Sequence, residues 1–245
     1  MKCKDLTWDN IDWGDLSLEY INLFFVENIV DHCYEKHFRV QPGDIVLDIG
    51  ANVGTFALSV LERKPHKIVC VEPSDKFINA LKNNVSGHRV SVVHKAIGDR
   101  DAFNLPYSKR SSYVELIDND VSVFHSTTLK TLINDYSLHY IDFLKFDCEG
   151  GEFSIFTEEN RDFILSSVKH ISGEWHIAYM DNAVENFLYF RDRFLYAAKE
   201  FKVYERDGKD ITENIKDDQS TVNFFNWWNN NPYLYGQYIV HARFN

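Results

Sequence analysis

The chain is poor in the residues that mark specialised classes of protein. Its four cysteines (Cys3, Cys33, Cys70 and Cys148) are scattered through 245 residues. They have neither metal-ligand spacing nor the density of a disulfide-stapled fold, so free thiols in a reducing compartment are expected. No apolar run approaches the roughly 20 residues needed to cross a bilayer. Even Ile21 to Val30 is broken by Asn22, Glu27 and Asn28. The opening MKCKDLTWDN carries no apolar signal region, and the expected location is cytoplasmic. Positive charge is scarce: 26 Lys and Arg stand against 37 Asp and Glu, for a net charge of −11. Stretches such as Ser108-Lys109-Arg110 are too short to make a phosphate-binding surface, which argues against a nucleic-acid partner. There is no internal repeat and no low-complexity tract.

What is present is a globular composition, 44% hydrophobic and 15% aromatic, enough for one sizeable buried core. Residues 1–40 read as a helical leader packed on the rest, with Ile21, Phe24, Phe25, Val26 and Ile29 near helical spacing. After the turn Gln41-Pro42-Gly43-Asp44, an alternation of strands and helices occupies residues 41–245. Apolar runs at Ile45–Ile49, Lys67–Glu72, Val90–Val93, Tyr140–Phe146 and Val168–Trp175 are five expected strands. A helix follows from about Thr55 to Arg63, and another is capped by Ser74 or Asp75. Strands that are apolar throughout and alternate with helices imply a doubly wound α/β fold, its parallel sheet covered on both faces. Phe201–Thr212 and Tyr235–Phe244 alternate as an antiparallel pair closing one edge, and residues from about 99 to 128 read as an insertion with short strands.

Three motifs fall at strand ends, where ligands bind in such sheets. The first is DIGANVG, Asp48 to Gly54, between the first strand and its helix. Gly50 and Gly54 allow a tight turn and close approach of backbone to ligand, and Asp48 can pair with a ligand ammonium group. Glu72, ending the second strand, is placed to accept from two ribose hydroxyls. A dinucleotide fingerprint would present G-x-G-x-x-G to a pyrophosphate. Here D-x-G-x-N-x-G places an acid where pyrophosphate would be repelled, which suits S-adenosylmethionine (SAM) instead. The second motif is KFDCEGGE, Lys145 to Glu152, with Asp147, Glu149 and Glu152 after the fourth strand; Glu149 or Glu152 alternatively caps the next helix. The third is GEWH, which puts Glu174 and His176 at the end of the fifth strand.

Together VLDIGANVGTFAL, VEPSDKFINALKNN, IDFLKFDCEGGEF and EWH resemble the FkbM family of SAM-dependent methyltransferases, in order and spacing, from about Gln41 to His176. The resemblance implies a class I, Rossmann-like, mostly parallel seven-stranded sheet with an antiparallel C-terminal edge hairpin. It also implies methylation of a hydroxyl oxygen, with sugars and polyketide-type natural products among the acceptors. Asp48, Gly50, Asn52 and Gly54 carry over as the SAM loop, Glu72 as the ribose ligand, and Ala96 and Ile97 as contacts to adenine. Where the family shows T-L-D-x-L, this chain has Thr128-Leu129-Lys130-Thr131-Leu132, so Lys130 replaces an acid.

A hydroxyl is a weak nucleophile at neutral pH, so a base is useful beside it. Asp147 and His176 are the candidates, with Glu149 or Glu174 orienting the imidazole or the substrate, and Lys145 pairing with an acid to lower its pKa. A divalent metal on Asp147 and Glu149 is an alternative means of acidifying the hydroxyl. The aromatic and amide-rich stretch Asn223–Tyr235, with Trp227, Trp228 and Tyr233, reads either as a carbohydrate-binding loop or as edge packing or a homo-oligomer contact. The expected function is SAM-dependent O-methylation of a carbohydrate hydroxyl, on a surface glycan or a glycosylated metabolite; the acceptor is thus a small-molecule or glycan hydroxyl. The alternatives are a non-sugar acceptor, a dinucleotide oxidoreductase, which Asp48 disfavours, and a non-catalytic SAM-binding protein. Base methylation is a poor fit, because Asp147-Cys148-Glu149-Gly150 replaces the Asn/Asp-Pro-Pro-aromatic loop that such enzymes carry.

Overall fold

The computed structural model describes residues 6–106, 123–176, 182–205, 207–229 and 237–245. Five parallel strands form its centre: β1 (Ile45–Ile49), β2 (Lys67–Val71), β3 (Val90–Val93), β7 (Ile141–Phe146) and β8 (Val168–His176). Between β3 and β7 come β4 (Ala96–Ile97), β5 (Ala102–Pro106) and β6 (Val123–Thr127). After β8 come β9 (Glu200–Glu205) and β10 (Gln237–Arg243), which pair antiparallel with each other. The main sheet has seven strands in the order β3-β2-β1-β7-β8-β10-β9, with β10 running against both its neighbours. The strand order reverses between β1 and β7, so the crevice outside their carboxyl ends is the switch point where a ligand belongs.

Alternation along these strands divides the core in two. Leu47, Ile49, Val69, Val71, Leu144, Phe146 and Ile171 face one hydrophobic cluster. Val46, Ile68, Cys70 and Phe143 face the other, against Phe56, Ala57 and Val60 of α2 (Thr55–Leu61). Asp48 and Lys145 follow the second alternation, so two ionic groups share a buried layer with apolar residues. Helix α3 (Asp75–Asn84) is capped by the Ser74 hydroxyl, which accepts from the Lys76 amide. The N-terminal segment, with α1 (Leu18–Phe25), lays Leu6, Ile11, Trp13, Leu16, Ile21 and Ile29 over Val53, Leu58, Phe77 and Ala80. No helix among the described residues is long and apolar enough to cross a membrane.

Several expectations are corrected in detail. The helix expected between the fourth and fifth strands is two, α5 (Glu152–Ile155) and α6 (Glu158–Ser167). The Asn160 amide donates to the carbonyls of Ser154 and Ile155 at 3.3 and 2.9 Å, capping the first where it stops. The insertion contributes β5 and β6 to a separate three-stranded sheet with β4, and residues 107–122 lie outside the described ones. The stretch read as a loop from Asn223 is instead the second half of α8 (Asp218–Asn229). Thr221 and Phe225, one turn apart, are buried, and Phe224 stacks on Tyr238 at 5.0 Å, so this part of the aromatic run belongs to the core. The remaining helices are α4 (Leu129–Asp135) and α7 (Ala183–Arg193). Lys130, on α4, pairs with Glu159 at 3.6 Å in solvent.

At the switch point two backbones meet without a side chain between them. Gly50 has φ +78°, and a Cβ there would overlap the carbonyl oxygen of Asp147. Gly43 has φ +90° with nothing within 4 Å of its Cβ position. Both substitutions to alanine carry the strain of a left-handed backbone, about 1–2 kcal/mol, but only Gly50→Ala also pushes β1 from β7. Urea unfolding should therefore place Gly50→Ala well below Gly43→Ala in stability; equal losses would rule out the close approach as a constraint.

Candidate active site

Register sets the line on which the site is built. Val71, Ile49, Phe146 and Gly173 are consecutive partners across β2, β1, β7 and β8. Immediately beyond them come Glu72, Gly50, Asp147 and Glu174. Strand β8 runs on to His176, two residues past Glu174 and therefore on the same face.

On the β1–β2 side the loop after β1 folds back on Glu72. The Gly50 and Ala51 amides donate to the Val71 carbonyl at 2.9 and 3.0 Å. The amides of Asn52 and Ser74 donate to the two oxygens of Glu72, each at 2.8 Å. Asn52 adopts φ 50°, and its own side-chain oxygen accepts from the Val53 amide at 2.7 Å. Burial pushes the Glu72 carboxyl up to about 7, against the pull of those two amides. Gly54 turns the chain into α2. Ala96 and Ile97 form β4 of the smaller sheet, and Ile97 packs beside the loop after β7: a Cβ on Gly151 would come within 2.6 Å of its Cγ2.

The centre is held by Lys145. Its ammonium donates to the Gly50 carbonyl at 2.6 Å and pairs with Asp48 at 3.2 Å and Asp147 at 3.8 Å. Burial opposes the charge, but the carboxylates of Asp48 and Asp147 outweigh it and raise the lysine above its ordinary value. Asp48 is fully buried, and burial raises its carboxyl although Lys145 opposes this. The partner expected from a ligand ammonium is thus already supplied by the protein.

On the β7–β8 side Asp147, Glu149, Glu174 and His176 come together as grouped in the sequence. The imidazole Nε2 lies 3.7, 3.6 and 3.7 Å from Asp147, Glu149 and Glu174 respectively. Its Nδ1 lies 2.7 Å from Glu152. Glu152 also accepts from the amides of Cys148 and Gly150 at 3.2 and 2.7 Å, so it caps the loop and fixes the imidazole at once. Burial works against a charged His176, but Glu149, Glu152 and Asp147 together raise its pKa well above the ordinary value. Glu149 sits in the left-handed region at φ 51°.

One member of the site gave no sequence signal. Tyr34, in the N-terminal segment and 2% exposed, donates its hydroxyl towards Asp147 at 3.0 Å and Glu174 at 3.2 Å. The Lys145 ammonium lies 5.2 Å from the centre of its ring. The neighbouring Glu35 anchors that turn, accepting from the Val40 amide at 2.9 Å and pairing with Arg63. Nothing in the spacing of residues 30–40 marks Tyr34, because the contact spans more than a hundred positions. Trp227 lies half-exposed on α8, and the side chain of Trp228 and all of Tyr233 lie outside the described residues.

This strand order, with one reversed strand beside the edge, an acid near the end of β1 and another just after β2, is that of a Rossmann-like methyltransferase using SAM. The model of the methyltransferase FkbM domain matches residues 48–201, and the chain belongs to that family. It is 33% identical over 84 residues to the 31-O-demethyl-FK506 methyltransferase FkbM of Streptomyces tacrolimicus, covering 34% of this chain and 30% of that protein. It is 34% identical over 106 residues to the AMB antimetabolite synthetase AmbE of Pseudomonas aeruginosa, covering 40% of this chain and 5% of that protein. The chain therefore matches less than a third of the length of either relative. A precorrin-6y C5,15-methyltransferase from Geobacter metallireducens GS-15 superposes with TM-score 0.46 at 11% identity, covering 96% of this chain and 94% of that one. An rRNA methylase from Streptococcus thermophilus gives TM-score 0.46 at 8% identity, covering 83% and 88%.

Replacing Lys145 with methionine leaves Asp48 buried without its cation. Breaking a buried pair by removing one partner costs about 3–5 kcal/mol, readable by urea unfolding. Burial then raises Asp48 in the folded state above its unfolded value, so the deficit should be least in acid and grow as pH rises above about 4. A pH-independent loss would show that Asp48 is not the group left stranded. Adding Asp48→Asn should recover part of the stability.

Proposed function

We propose that the chain transfers the methyl group of SAM to a hydroxyl of a carbohydrate. SAM occupies the Asp48–Gly54 loop, with the ribose on Glu72 and the adenine towards Ala96 and Ile97. The observation that carries the reading is the placement of carboxylates across the switch point from that loop. The side chains of Asp147 and Glu149 are 27% and 25% exposed, whereas those of His176 and Glu174 are each 8%. An acceptor entering the crevice meets the two exposed carboxylates first. The S–CH3 bond breaks as the O–CH3 bond forms, sulfur keeps the electron pair, and the hydroxyl proton leaves to this carboxylate cluster rather than to the enclosed imidazole. Oxygen as the acceptor atom is supported by the name of the Streptomyces relative, a 31-O-demethyl-FK506 methyltransferase. An uncharged sugar suits an acidic crevice on a chain of net charge −11 better than a polyanion does. That relative's name also favours a second reading, a non-sugar natural-product hydroxyl.

Two measurements test the proposal. Both oxygens of Glu72 can accept from ribose hydroxyls only when it is ionised, so binding SAM competes with a proton held up to about pH 7. Calorimetric affinity should fall by up to about tenfold per unit as pH drops below that value and level off above it. Glu72→Gln should abolish the slope and cost roughly 1.5–3 kcal/mol at alkaline pH; a flat wild-type profile would remove Glu72 from the ribose site. For the acceptor, deuteromethyl-SAM incubated with candidate glycans and glycosides should yield a labelled O-methyl sugar by mass spectrometry. Asp147→Asn should keep SAM affinity while turnover drops by about two to four orders of magnitude. Label on a protein side chain or a nucleobase nitrogen would refute the carbohydrate assignment.

A further inference from the structure

We propose that Asp147, Glu149 and His176 form a binding site for a hard divalent cation such as Mg2+ or Mn2+, with the acceptor hydroxyl as a further ligand. The inference rests on the O-methyl-transfer reading and adds to it the means by which the hydroxyl is activated.

One donor atom from each of the three residues lies within 4.8 Å of the others. Oxygen and nitrogen ligands about 2.1 Å from an octahedral ion stand about 3.0 Å apart as neighbours and about 4.2 Å apart as opposites. The Nε2 distances of 3.7 Å to Asp147 and 3.6 Å to Glu149 fall between these limits. Neither makes a hydrogen bond at such a length. His176 is only 6% exposed, and among the described residues its Nε2 makes no hydrogen bond at all.

The other polar atoms of two of these ligands are already committed, as in the outer shells of metal sites. Asp147 presents Oδ1 to the imidazole while Oδ2 accepts from Tyr34 at 3.0 Å and faces Lys145 at 3.8 Å. Both oxygens of Glu152 accept from backbone amides, so Glu152 is an acceptor towards His176 and Nδ1 carries the proton. Held in this way, the ring presents Nε2 to three carboxylates. Nε2 faces those carboxylates at ion-pair distance, and a cation bound between them would replace the Nε2 proton as their shared partner. The charge balance points the same way. Asp48, Asp147, Glu149, Glu152 and Glu174 surround one ammonium and one imidazole. Two carboxylates with one imidazole select a hard ion over thiophilic metals.

A divalent cation lowers the pKa of an oxygen bound to it. The acceptor hydroxyl would lose its proton more readily there, to the same carboxylate cluster that receives it in the transfer above.

The test uses the full chain, stripped with EDTA and dialysed, then titrated with MnCl2 in a calorimeter and followed by the loss of the free-ion Mn2+ signal in electron paramagnetic resonance. One Mn2+ per chain should bind, with Mg2+ competing. Glu149→Gln and His176→Gln should each weaken Mn2+ by at least tenfold, and the outer-shell change Glu152→Gln by about 10–100-fold. SAM affinity, measured without metal, reports folding and the cofactor site separately for each variant. If wild type binds SAM but takes up no Mn2+ or Mg2+ at millimolar concentration, the cation site is refuted and the methyltransferase reading survives. Mn2+ uptake unchanged in folded Glu149→Gln and His176→Gln refutes it equally. If SAM itself does not bind, the cofactor reading fails, and the Mn2+ titration still decides the cation site.

Discussion

The ammonium of Lys145 is the tie on which the site depends. It joins the ends of the two central strands through three oxygens: the carboxylate of Asp48, the carbonyl of Gly50 and the carboxylate of Asp147. Burying an ammonium costs several kcal/mol unless its partners are well placed. The register that sets Asp48 opposite Lys145 provides them as a property of the sheet rather than of a flexible loop. The bare backbone at Gly50 allows the approach that brings its carbonyl to the same cation. The loop after β1 and the carboxylates after β7 are thus fixed relative to one another by one charge.

Around this tie each acid has a different physical environment. Glu72 is bonded by two amides and buried, Asp48 is neutralised internally, Glu152 holds loop and imidazole together, and Asp147 and Glu149 reach the crevice. Acids lying within a few residues of one another in the sequence therefore do unlike work. What separates them is which strand face they occupy and how many backbone N–H groups they meet.

The central sheet was legible in the sequence because its strands are buried on both faces and read as unbroken apolar runs, from Ile45–Ile49 to Val168–His176. The strand-end motifs were legible because glycines and acids interrupt those runs abruptly. Helix α8 was not. Its amides and aromatics dilute the apolar periodicity, and burial of Phe225 against Phe187 and Tyr238 is a tertiary fact. Tyr34 was hidden for a similar reason: a tyrosine in an amphipathic leader looks like surface packing until the leader is laid across β7 and β8. A helix cap was one reading of Glu152, but its carboxylate instead holds the amides of the loop before α5, and a linear motif does not show that it also holds an imidazole 24 positions away.

The hydroxyl of Tyr34 reaches partners 113 and 140 positions further along the chain. Loops of that length close slowly, because their entropy is lost before any contact repays it. The segment that leaves the ribosome before the sheet can only dock after β7 and β8 exist. Completion of the carboxylate cluster is therefore among the last events of folding, and a nascent or partly folded chain has its loop after β1 before that cluster is finished.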